Sequence, residues 1–321
     1  MRNRTLLTIL ALCAAGSLLV ALLVGSVPLS AAQVLDSLFV QTQGIVHDIV
    51  WQLRLPRALA AFVCGALLAS SGVLLQVLLR NPLADPYVLG ISGGAALGAL
   101  GAMLIGATLA VMNMAAFGGA LAAMAIVFAL SFRSGDWNPH RLLLTGVVLS
   151  SGFAALISLI LAVAPQAQLK GMLFWLMGDL SDAGASGTAW LLLVLLLAVF
   201  TWLAATLDAL TLGSMKARAL GVAVTPMQAA LYVGAAAATV AAVLLGGSIG
   251  FVGMMAPHAL RLLGVHAHRV LLPAAALGGG IFVVLADVLA RTLWAPQQLP
   301  VGVFTALIGV PVLLVLLSRR A

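Results

Sequence analysis

The sequence predicts an all-α, polytopic membrane protein with ten transmembrane helices, and three observations carry that expectation. Of the 321 residues, 64% are hydrophobic and only 7% charged. A water-facing surface draws on roughly 25% charged residues, so lipid must be the main solvent. Apolar runs of span length, about 20 residues each, recur along the whole chain, with Leu191–Phe200 and its flanks among them. The runs do not alternate with period two, which disfavours a β-barrel and leaves helices as the way to satisfy the backbone in lipid.

In chain order the spans are expected at 5–27, 57–79, 89–110, 113–132, 141–163, 187–208, 226–246, 249–265, 271–293 and 300–318. Arg2 and Arg4 ahead of an apolar run could open a signal peptide. The run from Leu6 to Val27 is longer than the 7–15 residues of such a segment, so it reads as a retained first span. Gln168 to Leu180 is too short to cross; with Trp175 and Asp179 it reads as an interfacial or re-entrant helix. The 33 glycines, clustered at Gly278-Gly279-Gly280, and the alanines of Ala235–Ala238 allow close helix packing. Cys13 and Cys64 fall inside apolar runs and read as small apolar filler rather than a disulfide. The chain reads as one transmembrane domain over 1–321, without a soluble domain.

Loop charge sets the orientation. With the N-terminus in the cytoplasm, the inner segments hold Arg2, Arg4, Arg80, Arg133, Arg141, Lys216, Arg218, Arg261, Arg269, Arg319 and Arg320, which is 11 of the 15 Lys and Arg residues. The outer face keeps Arg54, Arg57, Lys170 and Arg291. Both termini are then cytoplasmic, as an even number of spans requires. The net charge of +7 is scattered through short loops, which excludes nucleic acid as the partner.

Several residues stand in unfavourable places. Arg54 and Arg57 flank Pro56, which suits the first turn of the second span. Two cations at a helix N-terminus oppose the dipole, and on the outer face they oppose the charge trend as well. They point to an external anionic partner, or else to lipid phosphates. Arg291 follows Asp287 by four residues, the order for a helical ion pair, and is open between that structural role and docking. At the inner face, Arg80-Asn81-Pro82-Leu83-Ala84-Asp85-Pro86 breaks the helical pattern, as a plain turn or as something more. The longest inner loop, about 209–225, brackets Ser214-Met215-Lys216-Ala217-Arg218-Ala219-Leu220 between Gly213 and Gly221. It reads as a short helix seated in a partner protein, or as a solvated basic loop. His266 and His268 lack a third ligand, and nothing marks a metal site. No G-x-x-x-x-G-K-[ST] loop is present to cradle ATP.

These motifs resemble the FecCD-type permeases of ABC importers over about residues 50–317. The carriers are Arg54-Leu55-Pro56-Arg57, Arg80 to Pro86 with Leu89-Gly90-Ile91-Ser92, Trp175-Leu176-Met177-Gly178 and Ile249-Gly250-Phe251-Val252-Gly253. Further on come Pro257-His258 with Arg261, His268-Arg269-Val270-Leu271-Leu272-Pro273, Ala286-Asp287-Val288-Leu289-Ala290-Arg291 and Leu299-Pro300-Val301-Gly302-Val303.

The resemblance implies an ABC importer type II permease fold in the bacterial inner membrane, without enzymatic activity of its own. It further implies a second permease copy as a homodimer or a sister chain, with the fifth and tenth helices among the walls of a path at their interface. Two ATP-binding subunits using ATP and Mg, and a periplasmic substrate-binding protein, complete the assembly. Arg54, Arg57 and Arg291 would meet acidic side chains of that protein. Gly213, Ser214, Ala217, Arg218, Leu220 and Gly221 would couple to the ATPase. Asn81, Pro82, Leu83, Asn138 and Pro139 would form the cytoplasmic gate. The family's acidic residue after the first coupling glycine is Ser214 here. No cofactor is expected on the chain itself. The cargo is expected to be a ferric siderophore, haem or cobalamin, with the breadth of the class leaning to a ferric chelate. The competing reading is an ion-gradient-driven secondary transporter or channel, for which Asp287 is the one serious intramembrane carboxylate.

Overall fold

In the computed structural model, residues 2–40, 44–133, 136–137 and 139–318 are described. The chain is helical almost throughout: α1 Arg2–Leu23, α2 Ala31–Phe39, α3 Ile45–Asp48, α4 Leu55–Leu79, α5 Ile91–Leu104, α6 Leu109–Ser131, α7 Pro139–Val163 and α8 Gln166–Met177. It continues with α9 Gly187–Trp202, α10 Ala204–Thr211, α11 Ser214–Ala219, α12 Val224–Gly246, α13 Val252–Leu262, α14 His268–Thr292 and α15 Val301–Ser318. One short antiparallel ladder, β1 Phe132–Arg133 with β2 Asp136–Trp137, sits between α6 and α7.

Each expected span has a helical counterpart, but they are unequal. Among the described residues, six helices are long and apolar enough to cross a bilayer: Asn3–Leu23, Ile45–Leu79, Leu109–Ser131, His140–Val163, Val224–Gly246 and His268–Thr292. The span expected at 187–208 is a broken pair, α9 and α10, bent by 65°. Those expected at 89–110 and 249–265 are shorter than anticipated. α5 has 14 residues and α13 has 11, or about 21 and 17 Å at the helical rise, against the roughly 30 Å of hydrocarbon. Backbone breaks explain the shortening. α5 is bounded by Gly90 at φ +73° and, where most of the shortening lies, by Gly106 at φ +68°; α13 is bounded by Phe251 at φ +69°, a rare conformation for a bulky residue, and by Gly264 at φ +85°. The short segment after α7 forms α8, a helix of 12 residues.

Pro56 does not open its span as expected. The helix runs without interruption from Ile45 to Leu79, and a π-helical turn over Ile49–Arg54 precedes the proline.

The centre of the bundle is α4, buried over nearly its whole length and packed against α1, α9, α12, α13 and α14. Small residues bring these backbones together. A Cβ on Gly65 would stand 2.2 Å from the Gly279 carbonyl oxygen, and one on Gly279 would stand 2.4 Å from that of Gly65. The polar groups α4 carries inward find partners. The Ser71 and Thr239 hydroxyls meet at 2.8 Å and both reach the Ala235 carbonyl at 2.8 Å. By contrast α7 lies at the edge: among its described side chains only Leu142 and Gly146 are buried.

Candidate functional site

The two ends of α4 gather the chemistry-bearing residues. At the N-terminal end, Arg54 closes the end of α1. Its Nη1 donates to the carbonyls of Leu22 at 2.6 Å and Leu23 at 3.1 Å, and its Nη2 donates to that of Val27. Arg57 donates from Nε and Nη2 to Asp287 Oδ1 at 2.9 and 2.8 Å, and from Nη1 to Gln298 Oε1 at 2.5 Å. Arg291 Nε lies 3.0 Å from Asp287 Oδ2, and its Nη2 donates to the Ala21 carbonyl at 3.2 Å. One carboxylate therefore serves two guanidinium groups. The remaining positive charge is met by the C-terminal carbonyls of α1, the negative end of that helix dipole.

This arrangement corrects the premise of the docking expectation. Arg54, Arg57 and Arg291 are 4%, 7% and 6% exposed and Asp287 is 1% exposed, so the three arginines do not present free charge at the surface. The local conflict expected from the sequence, two cations at a helix N-terminus, does not arise, because the helix already runs from Ile45; the charges are met by Asp287 and by the C-terminal end of α1. The pairing of Arg57 with Asp287 links residues 230 apart and leaves no local signal. Above the cluster, the loop 293–298 is exposed, including Trp294 at 68%.

At the C-terminal end of α4, Arg80 caps the helix in the left-handed conformation at φ +50°. Asn81 Oδ1 then accepts from the Leu83 N–H at 2.9 Å, forming the turn that Pro82 continues. Asn81 and Pro82 are exposed and Leu83 is half-buried. Asn138 lies outside the described residues, and Pro139 begins α7. Further along, α7 packs against the turn Pro86–Leu89: a Cβ on Gly146 would stand 2.2 Å from the Val88 carbonyl oxygen.

Asp85 caps the 3₁₀ turn Pro86–Leu89 by accepting from the Tyr87 N–H at 2.9 Å. Tyr87 Oη in turn accepts from the Ile249 N–H and donates to the Ile249 carbonyl, both at 2.9 Å. This tie fixes the irregular segment before α13, and nothing in the sequence announced it. Burial raises the Asp85 carboxyl to about 6, against the pull of its Tyr87 bond. The sign follows from linkage. The fold holds the proton more tightly than the unfolded chain, so this stabilisation is complete below pH ~4 and is lost as pH rises through about 6. Asp85→Asn keeps the cap but not the charge. It is expected to gain about 1–2 kcal/mol on the wild type between pH 5 and 7.5, after discounting for the partly open site, as read by thermal unfolding in detergent at the two pH values.

The loop expected at 209–225 contains α11, six residues bracketed by Gly213 at φ +105° and Gly221 at φ +81°. Ala217 is fully buried and anchors it, whereas Met215 is 87% and Leu220 65% exposed. A hollow of about 450 Å³ beside it is lined by Thr206, Leu220, Val222, Pro226 and Met227. Ser214 Oγ accepts from Arg80 Nη2, and Asp208 Oδ1 on α10 accepts from the His268 N–H at 3.1 Å and lies 2.5 Å from its Nδ1. Among the described residues no cluster of three His, Cys, Asp or Glu side chains could hold a metal ion.

A model of the FecCD transport family matches residues 9–319, and the chain belongs to that family. It is 40% identical over 281 residues to the vitamin B12 import system permease protein BtuC of Salmonella paratyphi A, covering 85% of this chain and 84% of that one. The BtuC of Salmonella typhimurium is 39% identical over the same lengths. A chain from an inward-facing structure described as a metal-chelate type ABC transporter superposes with a TM-score of 0.88 at 31% identity, covering 98% of this chain and 99% of that one. PsaBC from Streptococcus pneumoniae shares the fold, with a TM-score of 0.53 at 18% identity over 89% and 95% of the two chains.

Proposed function

We propose that this chain is the permease subunit of a binding-protein-dependent ABC importer that moves a metal chelate across the bacterial inner membrane by ATP-driven alternating access. The observation that carries it is α11: a short, glycine-bracketed helix anchored by Ala217 and presenting Met215 and Leu220 beside an open hollow. Such a knob suits the cleft of a separate ATP-binding subunit, two of which use ATP and Mg. Gly213, Ser214, Arg218 and Gly221 shape its base, and the Asn81–Leu83 turn with Pro139 forms the gate beside it. The orientation is N-in and C-in, which puts α11 in the cytoplasm. A second copy of the permease would cover α7, whose length is otherwise open and carries Ser151, Gly152 and Ser158. The path then runs along α7 and the exposed lower half of α15.

The periplasmic binding protein would meet the exposed 293–298 loop. Arg57 holds its Gln298 from below, so the arginine cluster positions the docking surface without forming it. The names of the BtuC relatives favour cobalamin over a ferric chelate as cargo. An ion-gradient mechanism is less well supported, because Asp287 already holds two arginines.

The test is co-purification of the partner ATPase with the double variant Met215→Asp, Leu220→Asp. Two exposed apolar anchors turned into carboxylates should weaken ATPase capture at least tenfold, the usual effect of losing central apolar contacts. Full capture, or uptake in vesicles lacking the ATPase, would overturn the proposal.

A further inference from the structure

The coupling reading leaves open how movement of α11 reaches the helices that span the membrane, and two polar ties answer it. α11 continues from α10, whose Leu207 and Leu210 are buried and which packs against both α4 and α14. The first tie joins Arg80 at the end of α4 to Ser214, the first residue of α11. The second joins Asp208 on α10 to the start of α14, where one carboxylate oxygen takes both the backbone N–H and the ring Nδ1 of His268. The His268 ring is 2% exposed and the Asp208 side chain 44%, so the tie is anchored on its α14 side.

The conformation of Arg80 supports a role for its side chain. A helix that ends in the left-handed region ordinarily places glycine there, because any Cβ is disfavoured. Here an arginine holds that conformation, and its guanidinium reaches across 134 residues of chain to Ser214. Strain of this kind is kept where the surrounding structure uses it. The Ser214 hydroxyl supplies the acceptor. Beyond the ties, α4 and α14 are joined along their length: their backbones approach closely at Gly65 and Gly279, and Arg57 binds Asp287 at the far end.

We propose that Arg80 and Asp208 are positioning residues that fasten the α10–α11 unit to the ends of α4 and α14, so that a displacement of α11 by the ATPase is delivered to those two helices together. The proposal rests on the coupling reading of α11. It adds the residues that transmit the movement and treats the α4–α14 pair as its recipient.

The experiment uses the assembled importer, permease with ATPase and binding protein, in liposomes, and reads chelate transported per ATP hydrolysed. Arg80→Gly is the informative variant. It removes the tie and relieves the backbone, so the thermal midpoint should hold or rise while transport per ATP falls at least threefold. Asp208→Ala should lower the same ratio, and Arg80→Gly with Ser214→Ala should be no worse than Arg80→Gly alone. An unchanged ratio in both single variants, or a loss of transport that merely follows a lower midpoint, overturns the proposal. The Met215→Asp, Leu220→Asp control separates the two readings. If that control still captures and couples the ATPase, the coupling role of α11 fails; if it does not, while Arg80→Gly transports normally, only the transmission role fails.

Discussion

Asp287→Ala is expected to remove most of the folded protein. The carboxylate is 1% exposed and is the acidic partner of both Arg57 and Arg291. Removing one member of a buried ion cluster leaves charge uncompensated where water cannot reach it, at a cost of about 3–5 kcal/mol. Here two guanidinium groups lose their partner at once, close to Arg54, whose charge is met by backbone carbonyls. Asp287→Asn keeps an acceptor for Arg57 and should cost less. The measure is the yield of monodisperse protein and its thermal midpoint in detergent. If Asp287→Ala folds as well as the wild type, the cluster is not what holds the α1, α4 and α14 ends together. Arg57→Glu places a second carboxylate against Asp287, so lost transport in that variant reports lost folding before lost docking.

The bundle itself was legible in the sequence, because span length and missing period-two alternation are local properties of the chain. So was the existence of α11, since Gly213 and Gly221 mark its limits at positions that need positive φ. What could not be read was everything made by contacts between distant segments. Asp287 was seen with Arg291, four residues away, and its bond to Arg57, 230 residues away, was not. Arg54 and Arg57 were therefore expected to be free when they are enclosed. The lengths of α5 and α13 were overestimated for a related reason. Apolar residues continue past the ends of both helices, and only the backbone turns at Gly90, Gly106, Phe251 and Gly264 show that the chain is not helical there. Tyr87 carried no sequence signal, since its role depends on Ile249 being folded against it.

Gly72→Ala is expected to be the most damaging single-methyl change in the chain. A Cβ at Gly72 would stand 1.8 Å from the Gly253 carbonyl oxygen, 2.5 Å from its carbon and 2.8 Å from its Cα. All three atoms are backbone, so no side chain can turn away, and α4 and α13 would have to part by more than an ångström. α13 is also held from another element: a Cβ on Gly253 would stand 2.6 Å from Pro86 Cδ. Overpacking a close-packed site costs about 1–3 kcal/mol and more where the neighbours cannot move, which exceeds the gain of up to ~1 kcal/mol that alanine brings to a helix interior. Gly278→Ala in α14 supplies the contrast, because its Cβ would meet nothing within 4 Å, and it should gain a few tenths of a kcal/mol or more. Equal midpoints for the two variants would show that α13 moves freely against α4. A lost midpoint for Gly72→Ala alone would show that the short helix is locked. Movement arriving at the end of α4 must then carry α13 along, together with the Arg261 guanidinium that holds Gln76.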